Sequence, residues 1–121
     1  MIAKTQLLAA AAALTEHWSP KVVARVNDTY VKVAKVKGEF VWHAHAGEDE
    51  LFHILKGSLE LRFEDGSIVL EEGDVAVVPR GVQHQPIARE ECWLALIEPV
   101  ETKHTGDTVT ARTKTIEQQL T

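Results

Sequence analysis

Two histidines one residue apart, His43 and His45, are followed by Glu50 and, thirty-four residues later, by His84 within Pro79-Arg80-Gly81-Val82-Gln83-His84. An extended strand points residues i and i+2 to one face, so His43 and His45 project together, with Trp42 and Ala44 on the other side. Neutral imidazoles and carboxylates are the ordinary protein donors to divalent transition metals. Two imidazoles from one strand, joined by a carboxylate and a third imidazole from neighbouring strands, predict a mononuclear site with His43, His45, Glu50 and His84 as metal ligands. An octahedral Fe(II), Mn(II), Ni(II) or Co(II) in that set keeps two positions open for water or a bidentate substrate. A four-coordinate Zn(II) is filled by it and must expand to five-coordinate for chemistry. One divalent ion is therefore the expected cofactor, and Zn, Fe, Mn and Ni all suit the donors.

Such a site needs several strands to carry it. The segments Lys21 to Val26 and Thr29 to Val36 are rich in β-branched residues and joined by Asn27-Asp28, which reads as a hairpin. Lys37-Gly38 is the next turn, and Phe40 to His45 reads as a strand. Glu50 to Lys56 is a strand stopped at Gly57. Leu59, Leu61 and Phe63 alternate with charged residues, and Asp65-Gly66 is a strong hairpin signal. Ser67 to Glu71, Val75 to Val78, Gln83 to Ile87 and Cys92 to Glu98 complete the series. Short strands with turn signals every few residues predict an all-β sandwich or barrel. At the N-terminus Leu7, Ala11, Leu14 and Trp18 recur at helical spacing, so residues 3–17 read as an amphipathic helix packed on the barrel, not a cleaved leader. From Pro99 onward the chain is polar and threonine-rich with no clear core face, and an irregular tail over 99–121 is expected, with some helix signal from Thr115 to Leu120.

The 121 residues suit one domain with a barrel over about residues 21–98. A net charge of −5 argues against a nucleic-acid footprint, which needs a basic face. No apolar run reaches the ~20 residues of a membrane span. Cys92 is the only cysteine, so no disulfide within the chain is possible, and a cytoplasmic location is expected. Leu51 to Leu55 and Cys92 to Ile97 are apolar on both faces; one face fills the barrel, and a homodimer is the expected cover for the other.

The spacing of the chemistry-bearing residues resembles the cupin superfamily. Its first motif runs glycine, spacer, His-x-His, three or four residues, Glu, six residues, Gly. This chain has Gly38, His43-Ala44-His45, four residues, Glu50, six residues, Gly57. The second runs Gly, five residues, Pro-x-Gly, two residues, His, three residues, Asn; this chain has Gly73, Pro79-Arg80-Gly81, His84 and Ala88. The first spacer is one residue shorter than usual, and Ala88 replaces the terminal Asn. The resemblance implies a double-stranded β-helix, or jelly-roll barrel, with the same four ligands. It is nearest to small single-domain barrels related to mannose-6-phosphate isomerase.

Other residues have ordinary readings. His53 lies three positions after Glu50 and faces away from the site; His17 and His104 are expected in solvent. Phe52 and Ile54 share the parity of Glu50 and should line the interior. Glu48 and Asp49 read as a solvated loop, Arg80 as a turn residue at the rim or an anion contact, and Cys92 as a small buried hydrophobe. The function expected is a small-molecule enzyme of isomerase, cyclase or dioxygenase type, with Glu50 or a metal-bound water moving protons. A non-catalytic sensor or storage module is the alternative. A purely structural barrel leaves the four aligned ligand types unexplained.

Overall fold

A computed structural model describes residues 2–106 and 113–120. Its strands are β1 (Lys21–Val26), β2 (Thr29–Glu39), β3 (Glu50–Lys56), β4 (Leu59–Phe63), β5 (Gly66–Leu70), β6 (Val75–Val78) and β7 (Gln85–Pro99); its helices are α1 (Leu7–Ala12) and α2 (Ile116–Leu120). All strand pairs are antiparallel, in the order β1-β2-β7-β3-β6, with β4 joining β7 to β5. The architecture is the expected all-β jelly-roll barrel with a short helix. Asn27, with a φ of 49°, makes the β1–β2 turn, a conformation asparagine tolerates.

β7 is the strand on which the barrel turns. Its C-terminal part lies between β2 and β3, and its N-terminal part pairs with β4 through Gln85 to Ile87. The sequence pattern splits it into two strands at Arg89-Glu90-Glu91. Those residues are instead an exposed bend, where the register against β2 shifts between Val36 and Gly38 and the strand passes on unbroken. The inward positions of β2, β3 and β7 supply Ala34, Val36, Phe52, Ile54 and Leu94 to the core.

Phe40 to His45 departs from the expected strand. The segment is extended but makes only an isolated bridge, in which the His43 N–H donates to the His84 carbonyl at 3.0 Å and the His84 N–H returns to the His43 carbonyl at 2.9 Å. Further along, the Phe40 N–H reaches the Pro86 carbonyl at 2.9 Å. Proline has no N–H to return, so a regular ladder cannot continue there.

The expected helix over 3–17 is also shorter. The Gln6 side chain caps it by accepting from the Ala9 N–H at 2.6 Å. At its other end the Lys35 ammonium takes the carbonyls of Ala12 and Leu14 at 3.0 and 2.9 Å, which satisfies the chain as it leaves the helix. The predicted face holds beyond the helix itself: Ala11 and Trp18 are buried, and Leu7 and Leu14 partly so.

The tail is not the coreless segment its composition suggests. Thr102, Thr105 and Gln119 are buried, and α2 lies against β1. The Gln119 amide oxygen accepts from the Lys32 ammonium, which is itself fully buried and 2.7 Å from Glu98. Gln119 and Thr105 are buried with their polar atoms bonded, whereas the buried Thr102 Oγ1 has no partner among the described residues. Gly106, with a φ of +58°, seats the tail against the segment that carries His43 and His45: a Cβ there would fall on the Ala44 carbonyl.

Gly106→Ala should therefore destabilise the protein more than Gly73→Ala, whose φ is +88° but whose surroundings are open. The backbone strain of either is ~1–2 kcal/mol, and Gly106→Ala adds an overpacking cost of ~1–3 kcal/mol. Urea unfolding of the two variants checks this; equal losses would mean the tail does not sit on Ala44.

Candidate metal centre

The four expected ligands come from three segments. His43 and His45 lie on the extended segment bridged to His84, Glu50 opens β3, and His84 follows the Pro79–Gly81 turn, whose Gly81 N–H donates to the His45 carbonyl at 2.8 Å. All four side chains are buried, and one donor atom from each lies within 4.8 Å of the others. Glu50 Oε1 is 3.5 Å from both His45 Nε2 and His84 Nε2. That is long for a hydrogen bond. It is close to the ~3.0–3.4 Å between two donors that share one ion at ~2.1 Å.

The imidazoles are oriented for an ion. His43 Nδ1 lies 2.9 Å from the Val41 carbonyl and His84 Nδ1 lies 3.0 Å from the Val82 carbonyl. A ring nitrogen beside a carbonyl must carry the proton and donate, which leaves the Nε2 lone pair of each ring free. His45 Nδ1 and Nε2, Glu50 Oε1 and His84 Nε2 are buried with no hydrogen-bond partner among the described residues. Buried polar atoms are otherwise nearly always paired, and His45 Nε2, Glu50 Oε1 and His84 Nε2 lie together as a shared divalent cation requires; His45 Nδ1, Glu98 Oε2 and Thr102 Oγ1 are also unpaired and stand outside that set.

The electrostatics agree. Burial, and then the nearby His84, lower the pKa of His43 from 6.5 to about 4, so its ring is neutral at pH 7. Burial alone would raise the Glu50 carboxyl, but the facing His45 and His84 rings, with Glu98 nearby, favour its charged form and hold it well below the usual carboxylate range. Glu98 is held well above that range by burial and by the Glu50 charge; Lys32 opposes this without overturning it. The two buried carboxyls are thus shifted in opposite directions, Glu50 toward its charged form and Glu98 toward its protonated form.

A cavity of about 40 Å³ borders His43 and Glu50, walled by Trp18, Phe40, Phe52, Leu94, Leu96 and His104. Trp18 stacks on Phe40 with ring centres 4.5 Å apart, and Phe40 meets His43 edge-on at 5.6 Å. The wall is almost wholly apolar, as ligand pockets usually are.

The outer residues divide as follows. Phe52 and Ile54 are buried on the Glu50 side of β3, and His53 is half-buried on the other side. Arg80 is exposed and outside the cavity wall, its backbone N–H held by the Asp49 carboxylate at 2.8 Å. His17 is exposed and pairs with Glu91 at 2.8 Å. The Cys92 thiol is buried and pushed up to about 12 by burial and by Glu72, so it is no nucleophile. His104, expected in solvent, lines the cavity 5.1 Å from Phe40 instead. Nothing in the local sequence marks it, because the tail's fold brings it there. Glu98 and Lys32 did carry a signal: each is a charged residue that shares the parity of inward-facing apolar neighbours, Ala34 and Val36 on β2 and Leu94 on β7.

Residues 29–97 match the family described as Cupin domain. YdbB, an uncharacterized protein of Bacillus subtilis (strain 168), is 38% identical over 80 residues, which cover 65% of this chain and 71% of that protein. A cupin-2 domain containing protein from Shewanella frigidimarina is 48% identical, with a TM-score of 0.72 over 73% of this chain and 86% of that one. Protein NMB1881 from Neisseria meningitidis is 33% identical, with a TM-score of 0.74 over 80% of this chain and 99% of that one.

Acid should weaken the metal-stripped fold. His43 and His104 are both lowered from 6.5 to about 4 on folding, chiefly by burial. Between those values the unfolded chain binds two protons that the folded chain does not. Glu98, raised on folding, works in the opposite direction and Glu50, lowered on folding, in the same one. Stability is therefore expected to fall as pH drops from 6.5 toward 4. Urea midpoints at pH about 7, 6 and 5 check the sign; a midpoint that rises with acid would contradict it.

Proposed function

This chain belongs to the cupin family, and on that premise we propose that it holds one divalent metal ion on His43, His45, Glu50 and His84 and acts there on a small oxygen-bearing molecule. The observation that carries the reading is the convergence of four buried donors, several of them orphaned, at the edge of an apolar cavity. Zn, Fe, Mn or Ni would suit the donors, and the ion would supply Lewis acidity toward a carbonyl or enediol oxygen.

The protein's own contribution is positioning and a pair of buried carboxyls. The Val41 and Val82 carbonyls fix two of the rings, and an apolar wall borders the donor cluster. Glu50 and Glu98 are neighbouring buried carboxyls shifted in opposite directions, the kind of pairing that acid–base work uses. That favours proton-transfer chemistry of the isomerase or cyclase type over dioxygen chemistry, with Glu50 as the catalytic carboxylate. In reaction type this is the isomerase-like kind of cupin. The narrowness of the cavity supports a second reading, in which the ion only anchors a small ligand in a sensor or storage module.

We place a second copy of the chain over the outer face of β3 and β6. Val75 and Val77 there are 58% and 54% exposed beside half-buried Leu51 and Ile97. A cytoplasmic setting suits the single buried cysteine. No helix among the described residues is long and apolar enough to cross a membrane.

His45→Ala or His84→Ala should lower metal content sharply, because each removes one donor of four, whereas His53→Ala should keep it. Elemental analysis of untagged protein checks this; equal loss in all three would refute the assignment. Product formation from candidate hydroxyketones or sugars without oxygen uptake would support the isomerase or cyclase reading, and oxygen uptake would replace it with a dioxygenase.

A further inference from the structure

We infer that His104 is a ligand-binding residue of the cavity, donating an Nε2–H hydrogen bond to a small hydroxycarbonyl compound that carries at most one negative charge. The inference rests on the reading of the four-residue cluster as a metal centre and names the ligand class that centre would take.

The tail delivers His104 in a defined state. Its Nδ1 lies 2.9 Å from the Lys114 backbone N–H. A backbone N–H can only donate, so Nδ1 accepts and the ring proton sits on Nε2. The ring is further held against Phe40, 5.1 Å away between centres. Nε2 has no partner among the described residues. Burial and the proximity of His43 keep the ring neutral at pH 7, so it donates from one nitrogen only. The cavity thus presents two polar features, the His43–Glu50 edge and His104, within walls of Trp18, Phe40, Phe52 and leucines.

Charge and size narrow the ligand. Among the described residues lining the cavity there is no lysine or arginine, and Glu50 is the one carboxylate. A divalent ion with Glu50 leaves one net positive charge, which one negative charge balances. A phosphate monoester brings a charge of about −1.5 to −2 and three strong acceptor oxygens, and a single N–H donor cannot meet them. A cavity of about 40 Å³ has room for roughly three water centres. A compound of a few carbons with adjacent carbonyl and hydroxyl oxygens fits these limits, one end toward the donor cluster and an oxygen toward His104.

The test uses the full chain loaded with Co(II), whose visible spectrum reports ligand binding at the ion. Hydroxyacetone, glycolate and phosphoglycolate are the probes. The wild-type spectrum should respond to the first two, with phosphoglycolate binding no more tightly than glycolate. His104→Phe keeps a ring against Phe40 and removes the donor; it should retain cobalt and bind hydroxyacetone ~5–10-fold more weakly, the worth of one hydrogen bond. His104→Gln restores an N–H near the Nε2 position and should recover most of that loss. Unchanged affinity in His104→Phe, or loss of its cobalt, would overturn the inference. So would tighter binding of phosphoglycolate, or a cobalt-loaded wild type that responds to neither small probe. A wild type that takes up no cobalt would instead sink the metal reading itself.

Discussion

Four lone-pair donors aimed at one point inside a barrel repel one another and have given up water. Without an ion between them, that arrangement costs free energy at each orphaned atom. The surrounding structure makes sense as what holds them there. Backbone carbonyls at Val41 and Val82 fix the ring tautomers of His43 and His84. The reciprocal His43–His84 bridge ties their two segments together, and the Gly81 N–H pins His45 from behind. The backbone thus sets the donor directions, and the side chains have little freedom to relax away.

A second layer of charge lies behind the first. Glu98 touches Glu50, Lys32 touches Glu98, and Gln119 of α2 meets Lys32. A lysine buried this completely is tolerable only when its partners satisfy it, since an unpaired interior charge is very costly. The C-terminal segment is therefore linked through Lys32 and Glu98 to the neighbourhood of the Glu50 carboxylate. Gly106 against Ala44 couples the same segment to the histidine pair from the other side.

Much of this was legible in the residue pattern. Period-two alternation placed Glu50, Phe52 and Ile54 on one face of β3 and His53 on the other, because strand parity is a local property of the backbone. The His43–His45 pairing survived even though its segment makes only a single bridge, since extended backbone alone sets i and i+2 parallel. What escaped was non-local. The polar Arg89-Glu90-Glu91 run looks like a turn but is a bend within β7, visible only once β2 pairs across it. The short α1 depends on Lys35 from another element. His104 reaches the cavity because Gly106, Thr105 and Gln119 find partners far away in sequence, and no window of tail residues carries that information.

The central claim is that three imidazoles and one carboxylate share a single ion. X-ray absorption at the cobalt edge, on protein loaded with one equivalent of Co(II), reads those ligands directly. The account predicts three imidazole nitrogens and carboxylate oxygen at ~2.1 Å, with the multiple scattering that marks imidazole rings. A shell of water-like oxygens without imidazole scattering would contradict it.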